Sequence, residues 1–121
     1  MSQSFDDEFT LYDLRVEVLD TGKPFVSHAR PGDRFEVIGG RIVFPPGHEA
    51  SFSLYAMMAV LPFLPAKQRP THPNDWMSTD TDIACLDPAC GARFRITRLG
   101  QRTLRHSDYS ASPLPWRPDK A

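Results

Sequence analysis

Two cysteines and an aspartate lie close together in the stretch "CLDPAC", residues 85–90 of the chain. Four residues separate Cys85 from Cys90, a spacing at the wide end of that found between paired zinc ligands. With a histidine such as His72, the two thiolates could bind a transition metal. The alternative is that both are ordinary reduced thiols, with Cys85 in a buried strand and Cys90 in a turn.

Asp87, between the two cysteines, also has two interpretations. Because Pro88 follows it, its carboxylate can accept a hydrogen bond from the backbone of its own turn, which is a purely structural role. If it lies instead at the mouth of a pocket beside Cys85, a partly desolvated carboxylate there could act as a general acid or base. Under that hypothesis Asp87 and Cys85 are the catalytic pair.

A second set of polar and aromatic residues follows the most apolar stretch of the chain. The set consists of Lys67, Arg69, Asp75 and Trp76. If the intervening loop folds back, these side chains join Asp87 around a pocket suited to a small anionic or oxygenated ring compound. In the alternative, the two cations complement the negative end of the preceding helix, Asp75 pairs with one of them, and Trp76 closes the core.

Composition and motifs exclude several classes of protein. The formal net charge is -1 with both signs interspersed, which argues against binding to nucleic acid or to a membrane surface. The chain has no glycine-rich phosphate loop, nucleophile elbow or zinc-protease motif. We therefore predict no organic cofactor and a small-molecule ligand. The N-terminus is acidic and lacks the features of a signal peptide, so we expect a cytoplasmic protein with reduced cysteines.

At 121 residues the chain is long enough for one domain with a core of its own. We predict an acidic N-terminal arm over residues 1–12, a single α+β domain over residues 13–100, and an extended proline-containing tail over residues 101–121.

Apolar and polar residues alternate in five stretches that we predict to be strands. They are "DLRVEVLD", the two arms of the hairpin "DRFEVIGGRIVF", "DIACL" and "ARFRITRL". The hairpin turns at Gly39 and Gly40. In the last stretch Phe94 and Ile96 face the core, and the arginines at 93, 95 and 98 are typical of a solvated sheet face.

One stretch, "ASFSLYAMMAVLPFL" over residues 50–64, predicts a helix capped by Ser51. It has almost no polar face, so we expect it to be buried on most sides, across the sheet or at a subunit interface. The resulting order, β-β-β-α-β-β with long proline-rich loops, favours a small, mostly antiparallel α+β fold with one buried helix. We expect a homo-oligomer, and a dimer by symmetry.

The segment "LPFLPAKQRPTHPNDWMSTDTDIACLDPACGARFRITR" resembles the signature of an uncharacterised small-protein family of bacteria and fungi. Members of that family read approximately "LYALAALLPLLPAKQR", then "DWM", "CPDP" and "FRITR". Leu86 replaces the first proline of "CPDP", while Cys85, Asp87 and Pro88 stay in register. The resemblance implies a shared fold and no particular reaction.

Two classes of function follow from these residues. The first is a small enzyme without an organic cofactor that acts on a small oxygenated or carboxylated metabolite by acid–base chemistry, as an isomerase or a lyase. The second is a non-catalytic oligomeric binding or accessory protein, or a metal-binding protein that uses Cys85 and Cys90. Solvent access around Asp87 separates the two classes.

Overall fold

A single antiparallel sheet of five strands, in the order β3-β2-β1-β5-β4, forms the centre of the molecule. The computed structural model describes residues 7–22, 30–47 and 51–115. The strands are Glu8–Leu19 (β1), Arg34–Ile38 (β2), Arg41–Val43 (β3), Asp82–Ala84 (β4) and Arg93–Arg105 (β5). With one helical segment packed on this sheet, the predicted small antiparallel α+β fold is confirmed.

The core lies on one face of the sheet because the long strands alternate strictly there. Leu14, Val16 and Val18 of β1 are almost completely buried. Val16 lies opposite Ile96 and Val18 opposite Phe94 on β5, so the two central strands supply matching apolar side chains. The first and last long strands of the described chain are thus neighbours inside the sheet.

The predicted β2–β3 hairpin is confirmed, with Ile38 paired to Arg41 across the two glycines. Gly39 has φ of 60°, a conformation that costs little only for glycine. The tyrosine ring of Tyr109 also lies where a Cβ atom on Gly39 would be. The turn therefore needs glycine at position 39 for two reasons.

Residues 54–67 form one helical segment, made of the helix Leu54–Val60 (α1), a 3₁₀ turn and the helix Leu64–Lys67 (α2). Ser53, and not Ser51, caps its N-terminus by accepting a hydrogen bond from the backbone N–H of Ala56 at 3.3 Å. Pro62 and Pro65 each begin a new turn, since proline has no N–H to continue the previous one. In the described ranges, no helix is long and apolar enough to cross a membrane.

The helical segment is apolar on both sides but buried on only one. Ala56, Ala59, Val60 and Leu64 pack into the sheet. On the outward side, Leu54, Tyr55, Met58 and Leu61 are 66%, 61%, 48% and 41% exposed. The expectation of a helix buried on most sides is therefore wrong for a single chain. We call these four residues the outer stripe.

Both predicted domain boundaries need correction. Strand β1 begins at Glu8, so residues 8–12 belong to the sheet and not to an arm. Strand β5 continues through Gly100 to Arg105. Residues 101–105, which the prediction assigns to the tail, therefore belong to the sheet. The first six residues of the predicted arm and the tail beyond residue 115 lie outside the described residues.

The pairing of β1 with β5 is interrupted by a bulge. Asp13 alone separates Tyr12 from Leu14 on β1, whereas Leu99 and Gly100 separate their partners on β5. The extra residue on β5 reverses which of its side chains face the helix. Beyond it, a small apolar cluster forms on the opposite face of the sheet, and its members are Phe9, Leu11, Leu104 and Tyr109.

Candidate functional site

A cavity of about 190 Å³ opens at the edge of the sheet, where β4 is short and β5 continues beyond it. Its wall consists of Lys67, Met77, Ser78, Thr81, Ile96, Thr97 and Arg98. The helix Trp76–Thr79 (α3) covers one side, and Asp75 caps that helix by accepting a hydrogen bond from the Met77 N–H at 2.8 Å. On the other side, the Ile96 N–H donates to the carbonyl of Thr81 at 2.8 Å, which fixes the chain at the cavity mouth.

Lys67 is the most deeply buried charged residue of this site, at 3% exposed. Its Nζ donates to the carbonyl of Met77 at 2.7 Å and to that of Asp80. Both carbonyls lie at the C-terminal end of α3, where a cation is favourable. Burial lowers the pKa of Lys67, and the positive charge of Arg98 lowers it further, while Asp80 and Asp75 act in the opposite direction.

Arg98 holds the end of the helical segment to the sheet. Its Nε donates to the carbonyl of Lys67 at 2.8 Å, and its Nη2 donates to the carbonyl of Arg69 at 2.8 Å and to Thr71 Oγ1 at 3.1 Å. The guanidinium carbon lies 4.8 Å from the centre of the Tyr12 ring, within the range of a cation–π contact. Arg98 thus satisfies carbonyl groups that the helix end leaves without partners.

The prediction that the arginines at 93, 95 and 98 form a solvated face is wrong for Arg98. Arg95 is half-exposed and makes a bidentate ion pair with Asp82, at 2.8 and 3.1 Å. Arg98 instead follows Phe94 and Ile96 on the core side of the strand. A strict period of two through these three residues was the signal in the sequence that could have identified it.

The cavity wall carries two positive charges. In the part of the chain that the structure describes, neither Lys67 nor Arg98 makes an ion pair with a carboxylate. Of the hydroxyl-bearing wall residues, Ser78 hydrogen-bonds to Thr71 and Thr81 donates to Asp82. Two neighbouring cations without a direct counter-ion favour the binding of a small anion.

The predicted catalytic residues lie elsewhere. Asp87 is exposed, and its Oδ1 accepts a hydrogen bond from the Ala89 N–H at 2.9 Å while its carbonyl accepts one from the Cys90 N–H at 3.0 Å. This is the turn-forming role, and neither Asp87 nor Cys85 lines the cavity. The turn exposes Asp87 and Leu86 to solvent, while Cys90 at its end packs into the core.

Of the four predicted substrate-binding residues, only Lys67 lines the cavity. Arg69 is exposed and donates to the carbonyl of Pro65 at 2.7 Å. Trp76 is exposed and meets the Phe63 ring edge-on, with ring centres 6.4 Å apart, while Asp75 serves as the helix cap. The loop does fold over the helix end, but it turns these three side chains away from the cavity.

The two cysteines are reduced thiols that share a hydrogen bond. Burial raises the pKa of the Cys85 thiol, and a hydrogen bond from the Asp87 backbone opposes that rise. Cys90 belongs to the core. His72 lies in an exposed loop, where its Nδ1 accepts from the Asn74 N–H at 3.0 Å. Across residues 7–22, 30–47 and 51–115, no three His, Cys, Asp or Glu side chains come together as a metal site would require.

Neither a family model, nor a curated protein, nor a solved structure matches the chain. The resemblance of residues 61–98 to a family signature therefore stays a prediction, and the proposed function depends on the geometry of the cavity.

Proposed function

We propose that the protein is a small enzyme that binds a small carboxylated metabolite in the cavity beside Lys67 and Arg98. The observation that supports this proposal is the pair of cations on one cavity wall, with no carboxylate bound to either among the described residues. Each cation is held by backbone carbonyls, so both charges are fixed in place before a ligand arrives. Such preorganisation lowers the entropy cost of binding an anion.

The size of the cavity restricts the ligand. A volume of about 190 Å³ is below the roughly 300–1,000 Å³ of sites that hold drug-sized molecules. Met77 and Ile96 supply an apolar part of the wall, opposite the charged and hydroxyl groups. The site therefore suits a carboxylate of a few carbon atoms that also carries an oxygen function.

The acid–base group of this proposal is Lys67 in place of Asp87. The cavity wall contains no carboxylate and no imidazole among the described residues, so the lysine amine is its one group able to accept a proton, since a guanidinium stays protonated. Because burial and Arg98 lower the pKa of Lys67, a larger fraction of the amine is neutral and able to accept a proton. Proton removal next to a carboxylate or carbonyl is the chemistry of an isomerase or a lyase.

We expect lactate, a small 2-hydroxy carboxylate, to shift the amide resonances of residues 77–81 and 96–98 in an NMR titration. Replacing Lys67 by methionine keeps the packing of the side-chain stem but removes the ammonium, and should weaken lactate binding by about 10-fold or more, the equivalent of one hydrogen bond from a charged group. The matched control is Asp87→Asn, which keeps the turn geometry and should leave the lactate titration unchanged.

Two outcomes of this titration would contradict the proposal. One is the absence of any shift in the cavity residues at tens of millimolar lactate. The other is a loss of binding in Asp87→Asn with none in Lys67→Met, since that result would return the site to the "CLDP" turn.

The outer stripe favours a second candidate function, a non-catalytic protein that assembles with itself. Its residues Leu54, Met58 and Leu61 follow the spacing i, i+4, i+7 of a helix–helix contact. No charged residue occurs between Glu49 and Lys67, so two copies can bring their stripes together without like-charge repulsion. We propose that an isologous dimer buries this stripe, and that the protein acts in the cytoplasm, where its thiols stay reduced.

We expect sedimentation equilibrium to give a dimer mass at micromolar concentration for the unmodified chain, and a monomer mass for Met58→Glu. A glutamate at the centre of the contact would place two carboxylates against an apolar surface, which is strongly unfavourable. Leu86→Glu is the matched control, since Leu86 is equally exposed but lies in the turn after β4. A monomer mass for the unmodified chain, or dissociation by both variants alike, would contradict an interface at the outer stripe.

A further inference from the structure

The bonding of the Lys67 nitrogen has a chemical consequence. A lysine ammonium has three N–H donors, whereas the neutral amine has two and a lone pair. Within the described residues, Nζ has two acceptors, the carbonyls of Met77 and Asp80. The neutral amine would therefore satisfy both carbonyls and keep its lone pair available.

Burial and Arg98 favour the uncharged form of Lys67, while the carboxylates of Asp80 and Asp75 favour the ammonium. The side chain is buried, and Arg98 places a second positive charge on the same cavity wall. Burial and a neighbouring cation are the two conditions that turn a lysine into a nucleophile.

We propose that Lys67 forms an imine with a small 2-oxo acid, with the substrate carboxylate directed at Arg98. This inference rests on the proposed function, because it requires a small carboxylate in the cavity. Beyond that function, it specifies a 2-oxo acid as the class of substrate and adds a covalent step. Arg98 suits the carboxylate because its Nη1 donates no hydrogen bond to the described residues, in contrast to its Nε and Nη2.

The step is balanced by the groups present. The lone pair of Nζ attacks the ketone carbon, the carbonyl electron pair moves to oxygen, and that oxygen takes the proton released by nitrogen. Loss of water from this carbinolamine then leaves a C=N bond, so one amine and one ketone give one imine and one water. Once protonated, the imine draws electrons from carbon 3 of the substrate and eases loss of a proton there.

The protonated imine keeps one N–H, so one of the two carbonyls that bound the amine loses its donor. The adduct should for that reason be transient, and the test traps it by reduction. We expect pyruvate with cyanoborohydride to add one pyruvic acid per protein chain, less the one oxygen atom that leaves as water when the imine forms and is reduced. Digestion followed by mass spectrometry should place the adduct on Lys67, in preference to Lys23, Lys120 and the N-terminal amine.

Two controls make the trapping decisive. Methyl pyruvate lacks the carboxylate and should label Lys67 at least ten-fold more slowly. Lys67→Arg keeps a cation and N–H donors but cannot form an imine, so its circular dichroism should be native while its labelling is lost. Labelling spread evenly over all amines, or equal rates for the acid and the ester, would overturn the inference.

The test also separates this inference from the proposed function. If lactate binds in the cavity but pyruvate leaves no adduct on Lys67, the carboxylate site stands and the imine is wrong. If lactate produces no shift at all and pyruvate labels Lys67 no faster than the other amines, both are wrong.

Discussion

Replacement of Arg98 by methionine is expected to lower the free energy of unfolding by about 2–4 kcal/mol. The hydrogen bonds from a charged donor are lost, and their buried acceptors are left without a partner. The methionine keeps much of the aliphatic stem, so little of the loss comes from packing. The carbonyls of Lys67 and Arg69 and the hydroxyl of Thr71 would lose their donor together. Lactate binding should be lost as well, since the variant removes one of the two fixed cations.

Arg95→Met is the matched control for this prediction, because it lies on the same strand and removes the same charge. Its bidentate ion pair with Asp82 is half-exposed, and exposed pairs contribute at most about 1 kcal/mol. Urea unfolding of both variants measures the difference. Equal destabilisation by the two substitutions would mean that Arg98 does not hold the helix end to the sheet.

Phe94→Ala is expected to be the most damaging core substitution, with a loss of about 3–5 kcal/mol. The Phe94 side chain is fully buried and lies between Val18 on β1 and Ile83 on β4. Truncation would leave a cavity beneath the helical segment, and the neighbouring strands cannot close it because both are held in register. Each kcal/mol corresponds to a shift of roughly 4–8 °C in Tm for a domain of this size range.

Leu99→Ala provides the comparison for that measurement, since Leu99 is on the same strand but 40% exposed at the bulge. Thermal unfolding followed by circular dichroism should show a change within about 0.5–1 kcal/mol for this surface site. If Phe94→Ala cost no more than Leu99→Ala, the described core would not be the stabilising one.

The sequence predicts the sheet well because period-two alternation and turn chemistry are local signals. The alternation of Leu14, Val16 and Val18 with polar residues identifies β1 and its buried face. Two glycines between apolar runs identify the hairpin and its register. An antiparallel arrangement follows from an order in which strands are not separated one by one by helices.

The errors come from signals that have more than one physical cause. Gly100 predicts the end of the domain if it is read as a turn residue. A glycine inside a strand also marks a bulge, and β5 continues through Gly100. The apolar helix was expected to be covered on most sides, whereas a domain of one sheet and one helical segment covers only the side against the sheet. How a loop directs its side chains is not encoded in residue type, so Asp87 and Trp76 were placed with Lys67 in error.

The bulge in β5 limits how far local unfolding extends through the molecule. Before it, the central strands bury Leu14 and Ile96 under the helical segment, and beyond it they bury Leu11 and Leu104 on the reverse side. The sheet therefore has two hydrophobic nuclei on opposite faces, connected by the shared strands β1 and β5. A destabilising substitution beneath Tyr109 should increase local unfolding at that end of the sheet, while the nucleus that supports Lys67 and Arg98 stays folded. The sequence at the end remote from the cavity can therefore change without loss of the site.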